Sequence, residues 1–528
     1  MEKNSKEEIN SVIDNWSKDF LFEGKPFDDT FAIDSIPLWW FYHRLFVEHV
    51  MPKPLNTFPM LYKQQKLSLA QKGELYVKSI VMKKVLYKRE IRKWQSFKPK
   101  TQKSLQKSVL FLSFTNHITE DGSIFRIHQL VNDIKEKEGL QELVLFADPL
   151  SSKTAHKLQG KETIYQYFDK SLLTIAKEDA AKMYQKWRDL PNQQKEKIMF
   201  HEKCKIFEYL KPGFDFFISK EFLTLVFLYY HTFRRILKQE NVKCILLTAT
   251  NGILEKCLQA AAFKEKVPTV VVQHGVGGFR FQQHPLSNVH FAVFSERFKE
   301  RLLRDNVDES NIHVVGPVIF DSIVKYRNKE KKTTNKTTIF FATTTAVEEG
   351  YLSKEAYFEI IERKIIEIMN VPNFFLIFKL HPREIYGNVY KELLVKNHVK
   401  NAEVVTNQAR NEFYEKIASC DVFVNFSSSA AIEAMILNKP VININIFQDI
   451  TSFTKGSAAS FELEKNDDIT QCILDAKNAD LNNARQKHLH YLIGPVDGKS
   501  HERVTDLITK LATKENKVDF ISFQDSDQ

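Results

Sequence analysis

The stretch Asp421-Val-Phe-Val-Asn-Phe-Ser427-Ser428-Ser429-Ala-Ala-Ile-Glu433-Ala-Met-Ile-Leu-Asn-Lys439-Pro440-Val-Ile-Asn-Ile reads as strand, tight polar turn, helix, loop and strand. Residues 422–426 form a short apolar run of the kind buried on both faces of a parallel sheet, and residues 430–437 are strongly helix-forming. Ser427, Ser428 and Ser429 occupy the junction. Serines at a helix start cap exposed backbone N–H groups, and the same N–H groups, with the helix dipole, can instead hold a phosphate. Glu433, one turn into the helix, would then reach ribose hydroxyls. Taken alone, the stretch leaves open a plain helix cap with a solvated acid behind it, so the rest of the chain has to decide.

Outward from this unit, the pattern repeats. Apolar runs at 338–342, 374–379, 402–405 and 441–444 are separated from one another by helix or loop, which implies a second parallel sheet. Upstream, runs at 109–114, 142–146, 242–248, 267–273 and 289–294, with a further one from 312, alternate with helical segments at 124–137, 252–264 and 296–304 and imply a first one. The reading is therefore α/β: two Rossmann-like, doubly wound sheets facing a cleft, preceded by a helical extension. The boundaries expected are a helical accessory region 1–105, an acceptor half 106–324 with a helical insertion at about 150–235, a polar linker 325–337, a nucleotide half 338–514 with a closing helix, and a tail 515–528. Ligands of such sheets bind outside the carboxyl ends of the strands.

Composition sets the outer limits. A chain of 528 residues with 43% hydrophobic content supports two or three large cores. Seventy-six Lys and Arg against 66 Asp and Glu leave a formal net charge of +10, which favours anionic partners. No nucleic-acid module, glycine-arginine tract or zinc spacing is evident, so nucleic acid is not an expected partner. The five cysteines are odd in number and scattered, which argues against a disulfide framework or structural zinc. The first residues lack the apolar core of a signal peptide, and the longest apolar run, 222–230, is far shorter than the ~20 residues a membrane span needs. A cytoplasmic enzyme is expected. Two N-terminal patches offer contact with the inner face of an anionic membrane: the aromatic run from Pro37 to Phe46, and the basic run from Lys83 to Trp94. The competing reading makes the first a core and the second a solvated face.

Four polar clusters fall at predicted strand ends, and that coincidence carries more weight than any one motif. They are Thr343-Thr344-Thr345, Lys379-Leu-His381-Pro382-Arg383, the Ser427 turn and, in the first half, Gln273-His274-Gly275. His381 is pinned by Pro382 and flanked by Lys379 and Arg383; two cations and an imidazole suit a phosphate, and a protonated imidazole can neutralise a departing one. His274, before a glycine-rich turn, is placed to act as a general base towards an acceptor hydroxyl or to hold a donor phosphate from the opposite half. The turn does not match a dinucleotide fingerprint.

Two Rossmann-like halves, Gln-His-Gly at a strand end, Val-Val-Gly316-Pro317 near the crossover, Lys-Leu-His-Pro and a serine-rich turn followed by Glu resemble the GT-B glycosyltransferase superfamily over roughly residues 108 to 510. His274-Gly275 with Lys379-Leu-His381-Pro382 is similar to the CDP-glycerol glycerophosphotransferases and related capsule enzymes. Bacterial sialyltransferases and Kdo transferases share another set: an acid-Asp-Gly element in the first domain, then His-Pro and a serine pair. Glu120-Asp121-Gly122 matches the first element, with Glu348-Glu349-Gly350 a weaker match on the same side as His381. The resemblance implies Asp121 as base and His381 assisting a leaving cytidine nucleotide, with no metal and no required cofactor. It implies sugar transfer from a nucleotide donor (CMP, CDP or UDP type) to a glycan or lipid-linked acceptor, the donor held by Thr343, Thr344, Lys379, His381, Pro382, Ser427, Ser428, Ser429 and Glu433 and the acceptor meeting Asp121, Glu120 or His274. The glycerophosphotransferases carry Asp-Tyr-Ser-Ser where this chain has Asn425-Phe-Ser-Ser. Three alternatives stand beside sugar transfer: a CDP-polyol phosphotransferase, a UDP-sugar 2-epimerase, and a non-catalytic glycan- or membrane-binding scaffold.

Overall fold

The computed structural model describes residues 16–513 apart from 19, 23, 50–68, 120–121, 148–154, 159, 199, 202–203, 206, 277–285, 328–334, 407–409 and 448–452. Two six-stranded parallel sheets organise it. The first holds β1 (Lys107–Ser113), β2 (Leu140–Phe146), β3 (Val242–Leu247), β4 (Thr269–Val272), β5 (Val289–Val293) and β6 (Ile312–Val314), in the order β2-β1-β3-β4-β5-β6. The second holds β7 (Thr337–Ala342), β8 (Phe374–Lys379), β9 (Ala402–Val405), β10 (Val422–Asn425), β11 (Val441–Asn445) and β12 (Phe461–Glu464), in the order β9-β8-β7-β10-β11-β12. Both are doubly wound and reverse direction once, beside β1 in the first sheet and beside β7 in the second. Eleven of the twelve strands lie where the apolar runs place them. The exception is β12, whose sequence Phe-Glu-Leu-Glu carries two carboxylates on a sheet edge and has no buried run to signal it.

The helices arise from the same sequence logic. In the first half they are α1 (Leu38–His49), α2 (Leu69–Ser96), α3 (His128–Lys135), α4 (Lys170–Asp189), α5 (Lys220–Gln239) and α6 (Ile253–Lys264). Asp169 and Ser219 cap α4 and α5 by accepting backbone N–H bonds from Ser171 and Phe222. In the second half α7 (Arg410–Ser419) follows β9 and α8 (Ala430–Ile436) follows β10, and α9 (Asn482–Ile493) leads to α10 (Ser500–Thr513). Although α10 comes last, it packs on α3, β1 and β3 of the first sheet. There His501 Nδ1 lies 2.8 Å from Asp321, and Arg503 Nε donates to the Val315 carbonyl at 2.7 Å.

The N-terminal region is not purely helical. Two-residue strands pair at Leu21–Phe22 with Lys25–Pro26, and at Ala32–Ile33 with Ile36–Pro37. Asp34 and Ser35 turn the second hairpin with φ of 48° and 68°, and two successive positive φ values suit a two-residue hairpin. The aromatic run of α1 is core, which removes it from any membrane contact. Trp39, Phe41, Tyr42 and Phe46 are buried, and the Tyr42 ring stacks on Phe217 at 5.0 Å. Of the expected linker 325–337, Lys325 and Tyr326 end a 3₁₀ segment and Thr337 opens β7, while 328–334 lie outside the described residues. The expected tail, 515–528, lies outside them too.

α1 docks on α6 through an unusual contact. The Lys256 ammonium is fully enclosed, donates to the Trp40 carbonyl and sits 5.2 Å from the centre of the Trp40 ring. Burial, reinforced by Arg44, pushes its pKa down to about 7. The unfolded chain holds this proton up to about pH 10, so between the two values the unfolded state binds more protons and stability rises with pH. Lys256→Met is expected to remove a rise of at most about 1.4 kcal/mol per pH unit between neutrality and pH 10, read by urea unfolding across that window.

Gly494 closes the seam between the halves at φ 76° and ψ −154°, a region essentially restricted to glycine. A β-carbon there would meet the Phe294 carbonyl oxygen at 2.1 Å. Gly494→Ala is expected to cost about 2–4 kcal/mol in chemical denaturation, because backbone strain and a backbone clash add.

Candidate functional site

The switch points make the site. Where helices leave a doubly wound sheet to opposite faces, the loops at the strand ends part and leave a crevice. In the second sheet the loops after β8, β7 and β10 lie side by side. Ala342 is in register with both Lys379 and Asn425, so the His381 and Ser427 segments leave the same end of the sheet on either side of Thr343.

His381 is held by its own backbone surroundings. Its N–H donates to Thr343 Oγ1 at 3.1 Å, and the Arg383 N–H donates to its Nδ1 at 3.2 Å. An acceptor role at Nδ1 places the proton of the neutral ring on Nε2. Burial first, then Arg383, lowers the pKa of the ring, so it is neutral at pH 7 and presents an N–H donor. Glu384 closes the support: its carboxylate receives bonds from Thr343 and Tyr390, and burial raises its pKa. Thr345 Oγ1 and Arg383 both donate to Glu349, and Glu348 accepts from the Ile385 N–H, so both acids of the Glu-Glu-Gly element buttress the His381 loop. The Thr344 N–H donates to Tyr357 Oη at 3.4 Å, and Pro382 is exposed. Lys379 points its ammonium at the Leu380 carbonyl, 2.6 Å away, and at that of Thr406, 3.4 Å away. Its charge is therefore tied to strand-end carbonyls.

The serine turn is built differently from a helix cap. Asn425 accepts the Ser428 N–H at 2.7 Å and donates to Asn443 at 2.7 Å, and Asn443 donates to Glu462 at 2.8 Å. This buried amide chain across β10, β11 and β12 sets the turn, and sequence reasoning missed it. Asparagines at the ends of two apolar strands were the available signal. Ser427 takes a φ of 53°, and its hydroxyl is enclosed with no hydrogen-bond partner among the described residues. Ser428 Oγ accepts the Ala430 N–H at 3.2 Å, and Ser429 makes no side-chain cap. Glu433 sits behind the turn, with burial raising its pKa. Tyr414 Oη donates to it at 3.4 Å, and Arg410 lies 3.6 Å away.

From the first sheet, His274 follows β4 and is half-buried, with its ring hydrogen-bonded by the Thr248 backbone at the end of β3. Burial first, then Arg126 and Arg44, lowers its pKa, so it too is neutral at pH 7. Glu120 and Asp121, the expected base element, lie outside the described residues, as do Gly277 and Gly278.

Arg126 and Arg410 were not anticipated, though both stand where a loop from a strand end enters a helix. Arg126 follows β1 and Arg410 opens α7 after β9. Their guanidinium carbons lie 4.9 and 5.1 Å from the centre of the Phe125 ring, so the two halves bring like charges to one aromatic residue. Burial, then Arg410, lowers the pKa of Arg126, whose buried Nε has no hydrogen-bond partner among the described residues. Arg410 also donates to the Ile319 carbonyl at 3.1 Å, which bridges the gap. Arg126 and Arg410 at one ring, with His274 near enough to Arg126 to feel its charge, gather N–H donors suited to a phosphate or diphosphate. Among the described residues no three His, Cys, Asp or Glu side chains gather as a metal site requires. A separate concavity of about 550 Å³ is lined by Ser457, Asp480, Asn483, Lys487, His488 and Tyr491 and includes none of these residues.

A family model described as UDP-N-acetylglucosamine 2-epimerase matches residues 259–509. Over that span the chain is similar to a nucleotide-sugar family. Among solved structures, a UDP-GlcNAc 2-epimerase from Neisseria meningitidis bound to UDP-GlcNAc is 13% identical, covering 76% of this chain and 100% of that one with a TM-score of 0.49. The enzyme from Methanocaldococcus jannaschii is 15% identical over 76% and 99%, with a TM-score of 0.47. Acinetobacter baumannii MurG is 12% identical over 77% and 99%, with a TM-score of 0.43. No curated protein sequence matches the chain. The two doubly wound parallel sheets are the architecture that the resemblance implied. The family model that matches is that of the epimerase alternative, over less than half of the chain, and the cytidine donor receives no support.

Arg126→Gln is expected to raise the stability of the ligand-free protein by about 0.5–1 kcal/mol, because it relieves like-charge crowding, while reducing stabilisation by UDP. Thermal melts with and without UDP read both effects.

Proposed function

We propose that the chain is a UDP-sugar enzyme that inverts C2 of a UDP-N-acetylhexosamine, in place of the sugar transfer implied by the first resemblance. The observation that carries this reading is the continuous match from within α6 to the closing helix, a span that takes in both half-buried imidazoles, the serine turn and Glu433. Direct removal of the C2 proton is unfavourable, since no carbonyl adjoins that carbon. Loss of the proton coupled to departure of UDP from C1 avoids this difficulty. The C2–H pair becomes the C1=C2 bond, the C1–O pair leaves with UDP, and reversal from the other face delivers the epimer.

The residues divide accordingly. His274, neutral and half-buried at the end of β4, takes the C2 proton. His381 donates its Nε2–H to the departing diphosphate, and Arg126 and Arg410 offset the growing charge. Ser427, Ser428 and Ser429 with the threonines after β7 hold phosphate oxygens, and Glu433 holds the ribose once the nucleotide displaces Arg410 from it. Lys379 and Pro382 shape the loop, and Asp121 and Glu120 remain candidates for a second proton-carrying group. The partner required is the nucleotide sugar alone, with no acceptor and no added cofactor.

The test is incubation with UDP-GlcNAc in D₂O without any acceptor, followed by proton NMR. Deuterium at C2 and a second anomeric signal are expected, His274→Ala losing at least a hundredfold in rate. UDP at a hundred times its dissociation constant should stabilise the protein by about 2.7 kcal/mol, and His381→Ala should lose most of that. UDP release that depends wholly on an added glycan or lipid-linked acceptor, with no exchange at C2, would overturn epimerisation in favour of transfer.

A further inference from the structure

The net charge of the chain is concentrated in one segment that the proposed reaction does not use. Between Lys83 and Lys107 stand ten Lys and Arg against a single acid, Glu90, whereas the whole chain holds 76 against 66. Glu90 is buried. It accepts from Tyr229 Oη at 2.5 Å and Tyr165 Oη at 2.9 Å, and pairs with Lys93 at 3.1 Å. Trp94 is fully buried beside it, its ring 4.9 Å from Tyr165 and 5.5 Å from Tyr229. One side of α2 is therefore fixed to α5 and the preceding 3₁₀ turn.

The opposite side carries the charge. At 3.6 residues per turn, Lys84, Lys88, Arg89 and Arg92 fall on one arc of about 140°, centred across the helix from Glu90 and Trp94. All four are exposed, and none has an ion-pair partner among the described residues. Val85, in the middle of this arc, is 56% exposed, and Leu86 at its margin is 40% exposed. Past the helix, Lys98, Lys103 and Lys107 are exposed as well, and Leu105 among them is 94% exposed. A face that only had to be soluble would mix acids with its bases and leave out the apolar residues. Cations that interleave exposed aliphatic side chains on a rigid helix match a surface with anionic headgroups outside and hydrocarbon beneath.

We infer that the outer face of α2, with the segment that follows it, is a docking surface for an anionic lipid membrane. The cations draw the protein to the headgroups, and Val85, Leu86 and Leu105 enter the interface. Because Glu90 and Trp94 lock α2 to α5 and the 3₁₀ turn at 164–167, docking holds the first half at the bilayer. This inference stands on the charge and exposure of α2 and does not rest on the epimerase reading.

The test is co-sedimentation of the full chain with phosphatidylcholine vesicles and with vesicles of phosphatidylcholine and phosphatidylserine in equal parts. Binding is expected to the second only, weakening as salt shortens the screening length. The triple variant Lys88→Glu, Arg89→Glu, Arg92→Glu should lose at least tenfold in affinity with an unchanged melting temperature. The pair Val85→Ser, Leu86→Ser should weaken binding while leaving its salt dependence in place. The inference is overturned if the wild-type chain ignores phosphatidylserine vesicles at low salt, or if it binds duplex DNA more tightly than it binds them.

Discussion

A parallel sheet wound both ways from one strand cannot close its own crest. Helices depart to opposite faces at the switch point, and the loops between them separate. The chain contains two such openings, beside β1 and beside β7, and the residues that line them come from six different loops. Everything proposed about chemistry depends on those openings sharing one gap. Phe125 and Arg126 from one sheet meet Arg410 from the other, and burial first, then Arg410, lowers the pKa of Arg126. Arg410 has the Glu433 carboxylate 3.6 Å away, whereas the buried Arg126 Nε has no partner among the described residues, so guanidinium donors stand ready for an anion before it arrives, which spares reorganisation when negative charge develops.

The two imidazoles gain meaning in the same setting. Each is half-buried, each has neighbouring cations, and each is driven towards the neutral form. A neutral ring can accept a proton at one edge or donate one at the other, and the orienting partner decides which. For His381 the Arg383 N–H occupies Nδ1 and leaves a donor at Nε2. The Glu384, Tyr390 and Tyr357 network behind Thr343 keeps that loop from relaxing, so the polar support is as much part of the site as the ring.

The strands were legible because central strands of a parallel sheet must be apolar on both faces, and runs such as those at 109–112 and 422–426 have no other use. The edge strand β12 was not, since one of its sides meets solvent and alternation there looks like any polar loop. The hairpins before α1 were missed because their strands are two residues long and the turn uses Asp34-Ser35 in place of Asn-Gly. Polar residues at strand ends were legible as a class, so the serine turn and His381 could be named. Their partners could not. Arg126 and Arg410 lie 284 positions apart in sequence (410 − 126), and only the closing of one sheet against the other brings them to the same ring. Similarly, Lys379 read as a phosphate ligand by its place beside His381, but its ammonium turns back on the strand-end carbonyls of Leu380 and Thr406.

The return of α10 to the first sheet has a mechanical outcome. The polypeptide crosses between the halves twice, once from β6 to β7 and again between α9 and α10, and the second crossing is clamped by His501 on Asp321 and by Arg503 on Val315. Two bodies joined at a pair of points cannot drift apart or slide freely. With Arg410 on the Ile319 carbonyl as a further tie across the gap, a ligand that enters meets two walls whose alignment is set in advance.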